Sequence, residues 1–591
     1  MALLATSSCR RADGYARRQP EQTTLYEVLR QHWATFLARA EQTGSGLPSF
    51  VREEVEAFLR CGLPQHGLLH LECPVCGFDM VVAWSCKKRG FCPSCIGRRM
   101  SELAAHLVDS VIPRVPLRQW TFTVPHRLRY LMAYDKELCS EVIAAFVRAL
   151  YRHLRAKAKG ELGLESTTRA HPGSVTFLQR SGSSINLHPH LHVPVLDGVY
   201  VVDEAGDRPS FHVLSPPTEE QLIEIIARVA HRVTKVLDAR GLPANGDEAE
   251  SDTLASDEPL LATCYATSVL SCDALGDRAG QPTVRLVGEP PASSHSGGDI
   301  AVHRLGFSLH VGDQIDGRDR NRVERLIRYI ARPPIATDRL RMRTDGDLAY
   351  TMKTPWSDGT HSVSMSPLDF IARLCALVPP PRFHTVRYHG VLAAHAALRP
   401  LVVPGADHDE TLDLDRVEEL IGQLELFPLP ELPSAPRLPG GMVDIKTPKG
   451  SSYIPYHELL RRVFKVDIHA CPRCSGRLRI KGSISAKPDI ERILEALGIP
   501  TDPPVIAPAR APPQQTLHLR HRAAPGNLIT QAPGLACPPR TPFPPGPRGI
   551  PSSSIPRFLP SRRPALARAD PRALCAPLHP RARALPRFAP C

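Results

Sequence analysis

Six of the chain's 16 cysteines fall between residues 61 and 95, and no other feature restricts the local fold so tightly. The spacing Cys73-x2-Cys76-x15-Cys92-x2-Cys95 lies within the range of a four-cysteine zinc site. Each pair sits in a tight turn, CPVC or CPSC, that aims two thiolates at one tetrahedral ion. Cys61 and Cys86, with His66 and His70, lie close by in sequence and either complete a second site or simply pack. The string CKKRGFCPSCIGRR at 86–99 interleaves five cations with these ligands: Lys87, Lys88, Arg89, Arg98 and Arg99. A rigid metal module presenting cations suits contact with a DNA backbone. A solvated charged face is the plainer reading of the same residues.

Bulk charge gives less than it promises. The net charge of +13 suggests a nucleic-acid binder, but residues 501–591 hold 13 Arg and no Lys against two Asp and no Glu. The first 500 residues therefore carry only about +2. The same stretch has 22 of the 60 prolines and reads as a disordered tail. No run approaches the roughly 18 apolar residues of a membrane span. The start, MALLATSSCRRADGYARRQP, has no charged segment followed by a long apolar one. A cytoplasmic, DNA-associated protein with no membrane partner is expected, in which clustered cysteines bind metal instead of forming disulfides.

Patterning predicts an α+β fold with antiparallel pairing, because strands and helices mix without a βαβ rhythm. An N-terminal helix over 23–42 and the cysteine module make a first domain, 1–105. A helix over 100–113, a strand in QWTFTVP at 119–125, a helix over 132–157, a strand over 173–182 and a helix over 218–240 place a core at 106–240. Residues 241–300, rich in Gly, Ser, Asp and Pro, read as an insertion or mobile linker. The core resumes over 301–400 with a strand at 307–311 and a helix from Arg318 to Ala331. A strand pair around DLAYTMK and HSVSMS follows, then a helix capped by Ser366. A Pro-rich linker at about 427–440 leads to a small CxxC module within 401–500, and the tail covers 501–591.

The segment NLHPHLHVPVLDG at 186–198 alternates like a strand, so His190 and His192 share one face and Leu191 takes the other. His188 is in the same phase, although Pro189 could delay the strand. Two imidazoles on one face can hold a divalent metal that polarises a phosphoryl oxygen. A nucleophile is then needed, and Tyr329 in RNRVERLIRYIARPP is the candidate. On a helix, Arg322, Arg325 and Arg332 recur at intervals of three or four around it. A tyrosine is a weak nucleophile at its free pKa near 10, so it requires an activated electrophile. The alternative is a core tyrosine anchoring a helix end.

The strings SCKKRGFCPSCIGRRMSELAAHLVDSVIPRVPLRQWTF, NLHPHLHVPVLDGVYV, RLIRYIARPPIA, KTPWSDGTHSVSMSPLDFIARLCALVPPPRFHTVRYHGVLAAHA and LLRRVFKVDIHACPRCSGRLRI occur in that order. Together they resemble the insertion-sequence ninety-one family of rolling-circle transposases. The resemblance runs from about residue 25 to 498. It implies an N-terminal zinc-binding domain and an antiparallel-sheet HUH (His-hydrophobic-His) nuclease core. By this resemblance His190 and His192 hold catalytic Mg²⁺ or Mn²⁺, distinct from structural zinc, with His188 or Gln179 as alternatives for a third ligand. Tyr329 matches the residue that attacks single-stranded DNA at element ends, leaving a 5′-phosphotyrosine link and a free 3′-hydroxyl.

Some members carry a second tyrosine four residues on. Here that position is Pro333, so the chain resembles the single-tyrosine branch. Tyr350 is too far along to share the helix and is assigned no catalytic role. Lys353 falls in a family-like block and is a candidate DNA contact with Arg325, while Trp356 to Gly359 read equally as a packed turn. Cys471 and Cys474 form one C-x2-C, which supplies two ligands, so a second zinc there needs His469 or an interface. A replication initiator or relaxase would share this chemistry, and a catalytically inactive zinc-module DNA binder is the rival of another class.

Overall fold

The computed structural model describes residues 18–42, 46–202, 209–242, 252–289, 300–404, 456–464, 467–474 and 476–510. The expected linker at 427–440 and the chain beyond 510 lie outside the described residues. Helices α1 (Thr24–Gln42) and α2 (Ser49–Arg60) bury Leu29, Phe36, Val55 and Phe58 in one cluster. A hairpin follows, β1 (Leu68–Glu72) and β2 (Asp79–Ala83), with CPVC at its tip. Helix α3 (Pro93–Ser110) begins earlier than the helix expected over 100–113. Pro93 occupies its first turn, where a missing N–H leaves no bond unmade.

The core is a six-stranded antiparallel sheet. Its strands are β3 (Leu117–Thr123), β4 (Gly173–Ser181), β5 (Leu187–Leu196), β6 (Ile300–Arg304), β7 (Phe307–Ile315) and β8 (Val386–Gly390). They lie in the order β6-β7-β3-β5-β4-β8. The mixture of helices with antiparallel strands is the expected α+β class. Pro189 does not delay β5, which runs from Leu187.

Helix α4 (His126–Tyr134) and helix α5 (Lys136–Leu162) replace the single helix expected over 132–157. The break is at Asp135, whose carboxylate accepts from the Leu138 N–H at 2.8 Å and caps α5. Helix α6 (Glu219–Ala239) starts with a capping box between Thr218 and Gln221. Trp120, Phe122, Leu191, Val193 and Leu309 on one face of the sheet bury against α5 and α6.

Within the stretch expected as an insertion or linker, residues 243–251 and 290–299 lie outside the described residues, and parts of 252–289 pack into the core. Within it α7 (Pro259–Leu270) buries Leu261, Cys264 and Tyr265. Val284–Val287 adds an edge to a second sheet by pairing with Thr360–Met365. The apolar run PLLATCYATSVL is short and flanked by polar residues, so composition averaged over 60 residues hides it.

Helix α8 (Arg320–Ile330) carries Tyr329, and α9 (Pro367–Leu377) is capped by Ser366, whose hydroxyl accepts from the Asp369 N–H. On the second face of the central sheet, Leu117, Phe177, Leu196 and Ile315 lie under α3 and α8. Val323, Ile327 and Ile330 are the buried stripe of α8.

The last module holds α10 (Tyr456–Phe464), β9 (Arg479–Ile484) and α11 (Lys487–Ala496). Strand β9 pairs antiparallel with β1, giving a sheet of order β9-β1-β2. Residues 501–510, expected as the start of the tail, continue onto α1. There the Ala507 N–H donates to Arg30 O and the Arg510 N–H to Thr35 Oγ1.

Candidate functional site

Alternation along three neighbouring strands builds a polar patch beyond the area covered by α3 and α8. Gln119 and Thr121 on β3, His188, His190 and His192 on β5, and Gln179 on β4 occupy the same face. The register sets Thr121 opposite His192 and Gln179 opposite His190. His190 and His192 are each only 8% exposed, so the patch is a recess in the sheet surface.

Three polar atoms converge there. His190 Nε2 lies 3.1 Å from His192 Nε2, which lies 3.1 Å from Gln179 Oε1. His190 Nδ1 donates to the His188 carbonyl at 2.6 Å, which fixes the tautomer with a lone pair on Nε2. At His192 Nδ1, Thr121 Oγ1 stands at 3.2 Å and the Gln119 amide at 2.8 Å. Thr121 can accept the Nδ1 proton, and a half-turn of the Gln119 amide offers its oxygen as well. Such partners free the second Nε2, and two imidazoles with an amide oxygen make a suitable donor set for a divalent ion.

Burial holds the pKa of His190 near 4 and that of His192 near 3, with Arg332 pushing both in the same direction. Both rings are neutral at physiological pH and able to ligate. Of the two alternatives for a third ligand, only Gln179 has an atom at this convergence. His188 stacks beside His190 with ring centroids 4.9 Å apart, and its backbone carbonyl serves as the acceptor described above.

Gln179 also links the recess to the tyrosine helix. Its Nε2 donates to the carbonyl of Ile330 at 3.2 Å, one residue beyond Tyr329. The apolar stripe of α8 seats the helix on the sheet, so its last turn ends at the histidines and Tyr329 stays 44% exposed. Arg332 lies 4.6 Å and Lys353 4.9 Å from the Tyr329 ring centroid. Lys353, expected as a DNA contact, is thus beside the tyrosine. Arg325 is exposed further along α8, where its Nε donates to Asn321 O. Tyr350 is 2% exposed and its hydroxyl accepts from the Ala336 N–H, a structural role.

The cysteines group differently from the set expected by spacing. Cys61, Cys86, Cys92 and Cys95 form one cluster and Cys73, Cys76, Cys471 and Cys474 another. Cys73 and Cys76 sit at the hairpin tip, whereas Cys61 and Cys86 flank its base. Strands of five residues, about 17 Å at strand rise, separate the two ends. In the first cluster Cys61 is 3.7 Å from both Cys92 and Cys95, and Cys86 is 3.4 Å from Cys95. Sulfurs bonded to a tetrahedral zinc at about 2.3 Å stand about 3.8 Å apart, so these spacings fit an ion and not a disulfide. His70 is bound to Asp79 at 2.7 Å, and neither His66 nor His469 joins a cluster.

Of the basic string, Lys87, Arg89 and Arg99 are exposed, Lys88 pairs with Glu53 at 3.3 Å and Arg98 is half-buried. Gln119, Thr121 and Arg332 went unassigned from the sequence as parts of the histidine site. The period-two alternation in QWTFT is the signal that could have found the first two.

The family described as "Putative transposase" matches residues 173–399, which contain β4, β5 and the tyrosine helix. The family described as "Transposase zinc-binding domain" matches residues 28–124 and includes the first cysteine cluster. A cysteine module ahead of an α+β domain of this kind defines a transposase, an enzyme that acts on DNA. Within that class the chain belongs to the insertion-sequence ninety-one family, with an N-terminal zinc-binding domain. The family match and the cysteine clusters together support structural zinc. No curated protein and no solved structure matches the chain. Among the described residues no helix is long and apolar enough to cross a membrane.

Proposed function

We propose that the protein nicks and rejoins single-stranded DNA at the ends of a mobile element through a covalent link to Tyr329, in rolling-circle transposition. The observation that carries this reading is the Gln179 amide. Its oxygen faces His192 while its nitrogen holds the carbonyl next to Tyr329, which ties the donor set to the nucleophile.

In the proposed reaction the Tyr329 phenol loses its proton to solvent and Oη attacks a backbone phosphorus. The bond from phosphorus to the 3′-oxygen breaks, leaving a 5′-phosphotyrosine and a 3′-hydroxyl after protonation. Reversal by a 3′-hydroxyl of another strand rejoins the DNA, because the phosphodiester energy is kept in the tyrosyl ester. Arg332 and Lys353, placed against the Tyr329 ring, attract the flanking phosphates. Mg²⁺ or Mn²⁺ held by His190, His192 and Gln179 would polarise a non-bridging phosphoryl oxygen.

The test is incubation of full-length protein with single-stranded terminal DNA labelled at its 3′ end and Mn²⁺. A labelled protein band that disappears with EDTA and in Tyr329→Phe is expected. DNA binding without any such band would overturn the reading.

A further inference from the structure

The second cysteine cluster joins parts of the chain that are 395 to 401 residues apart. Cys73 Sγ lies 3.5 Å from Cys474 Sγ, and Cys76 Sγ lies 3.6 Å from Cys471 Sγ. All four sulfurs fall within 4.8 Å of one another. Again the separations are those of a tetrahedral thiolate set.

The two half-sites are built alike. In the first, the Cys73 N–H donates to Phe78 O and the Gly77 N–H to Cys73 O, closing the CPVC turn. In the second, the Cys471 N–H donates to Gly476 O and the Leu478 N–H to His469 O, closing the CPRC turn. Gly476 lies close against the sulfurs. A Cβ there would stand 3.2 Å from Cys474 Sγ and 3.3 Å from Cys73 Sγ.

Around the cluster, β9 pairs with β1 along the hairpin, and Leu71, Met80 and Leu478 bury together with Cys73 and Cys471. The small apolar area is typical of a junction that needs a metal to persist. From it the module reaches the tyrosine helix. On α10, Arg462 bonds Asp109 of α3 at 3.0 Å and Glu324 of α8 at 2.9 Å.

We propose that a second zinc ion, held by Cys73, Cys76, Cys471 and Cys474, clasps the C-terminal module onto the N-terminal zinc-binding domain. The first ion is local to one domain, and this one closes the chain across the nuclease core. The clasp keeps β9 on β1 and Arg462 at the junction of α3 with α8.

The two sites differ in access, which gives two independent readouts. Cys474 is exposed, whereas Cys61, Cys92 and Cys95 are buried. Titration of the full-length protein with a chromogenic zinc chelator should release two zinc ions per chain in separate fast and slow phases. Cys471→Ser/Cys474→Ser should hold one zinc and lose the fast phase. In that variant, hydrogen exchange should accelerate in β1 and β9 and stay unchanged in the histidine strand β5. One zinc in the wild-type protein would overturn the proposal. So would two in the double variant, or unaltered protection of β1. Each readout is independent of nicking activity, so failure of the clasp is distinguishable from failure of the proposed DNA chemistry.

Discussion

Gln179 and His188 are alternatives for a third ligand by the family resemblance, and the fold places them differently. Gln179 lies across the ladder from His190 and uses both ends of its amide, whereas His188 contributes its carbonyl. Gln179→Ala should weaken Mn²⁺ binding by roughly tenfold or more, measured by electron paramagnetic resonance titration, with little change for His188→Ala. Equal losses in both variants would contradict this division. Gln179→Glu keeps an oxygen for the metal and removes the N–H held by Ile330, so it should retain binding and lose nicking.

Asp197 makes a similar point about context. Asp197 and Gly198 form a pair common in turns, and the chain bends at Asp197 where β5 ends. The carboxylate, however, is buried and binds Arg118 through two bonds of 2.9 and 3.0 Å, with Gln314 at 2.6 Å. Asp197→Ala leaves a buried guanidinium without its partner and should cost about 3–5 kcal/mol in urea unfolding. A loss below about 1 kcal/mol would show the pair to be solvated.

At the scale of elements, strands were legible wherever alternation was strict. HPHLHV, QWTFT and FSLHV each announce which residues share a face, and the sheet brings those faces together. Their full order in the sheet was not legible, because β3 meets β7 through pairs such as Thr121 with His310, and β4 meets β8 through pairs such as Thr176 with Arg387, between segments far apart in the chain. Helix α7 was missed for a different reason: its 12 residues are apolar almost all round and carry no amphipathic period.

Edge strand β8 supplies a pH test. Burial, with Arg387 adding to it, holds the His389 pKa near 4, and its Nε2 is buried without a hydrogen-bond partner. An unfolded histidine titrates near 6.5, so the unfolded chain takes up this proton first. Stability from this residue is therefore complete above pH 6.5 and declines as pH falls toward 4. His389→Gln should flatten that part of the pH dependence of unfolding, and an unchanged slope would assign it to other groups.

Across the whole molecule, spacing revealed the C-x2-C pairs but not which pairs share an ion. A zinc site accepts two ligands from any part of the chain, so local spacing is silent about the Cys471 pair until β9 is placed on β1. The basic string was legible as charge, and the fold selects which cations face solvent. Replacing Lys87, Arg89 and Arg99 together by alanine should weaken DNA binding. The slope of log affinity against log salt should fall by about 0.7–0.9 for each phosphate that the variant no longer neutralises. An unchanged slope would mark the string as a solvated face.

The arrangement as a whole places a zinc-binding domain and a C-terminal module around one sheet whose polar recess ends at Tyr329. The most direct measurement is peptide mapping of the protein after reaction with single-stranded terminal DNA and Mn²⁺, followed by nuclease trimming. A nucleotide joined through phosphate to the peptide containing Tyr329, and to no other, is the predicted result. A nucleotide on another residue, or none from protein that holds metal and binds DNA, would contradict it.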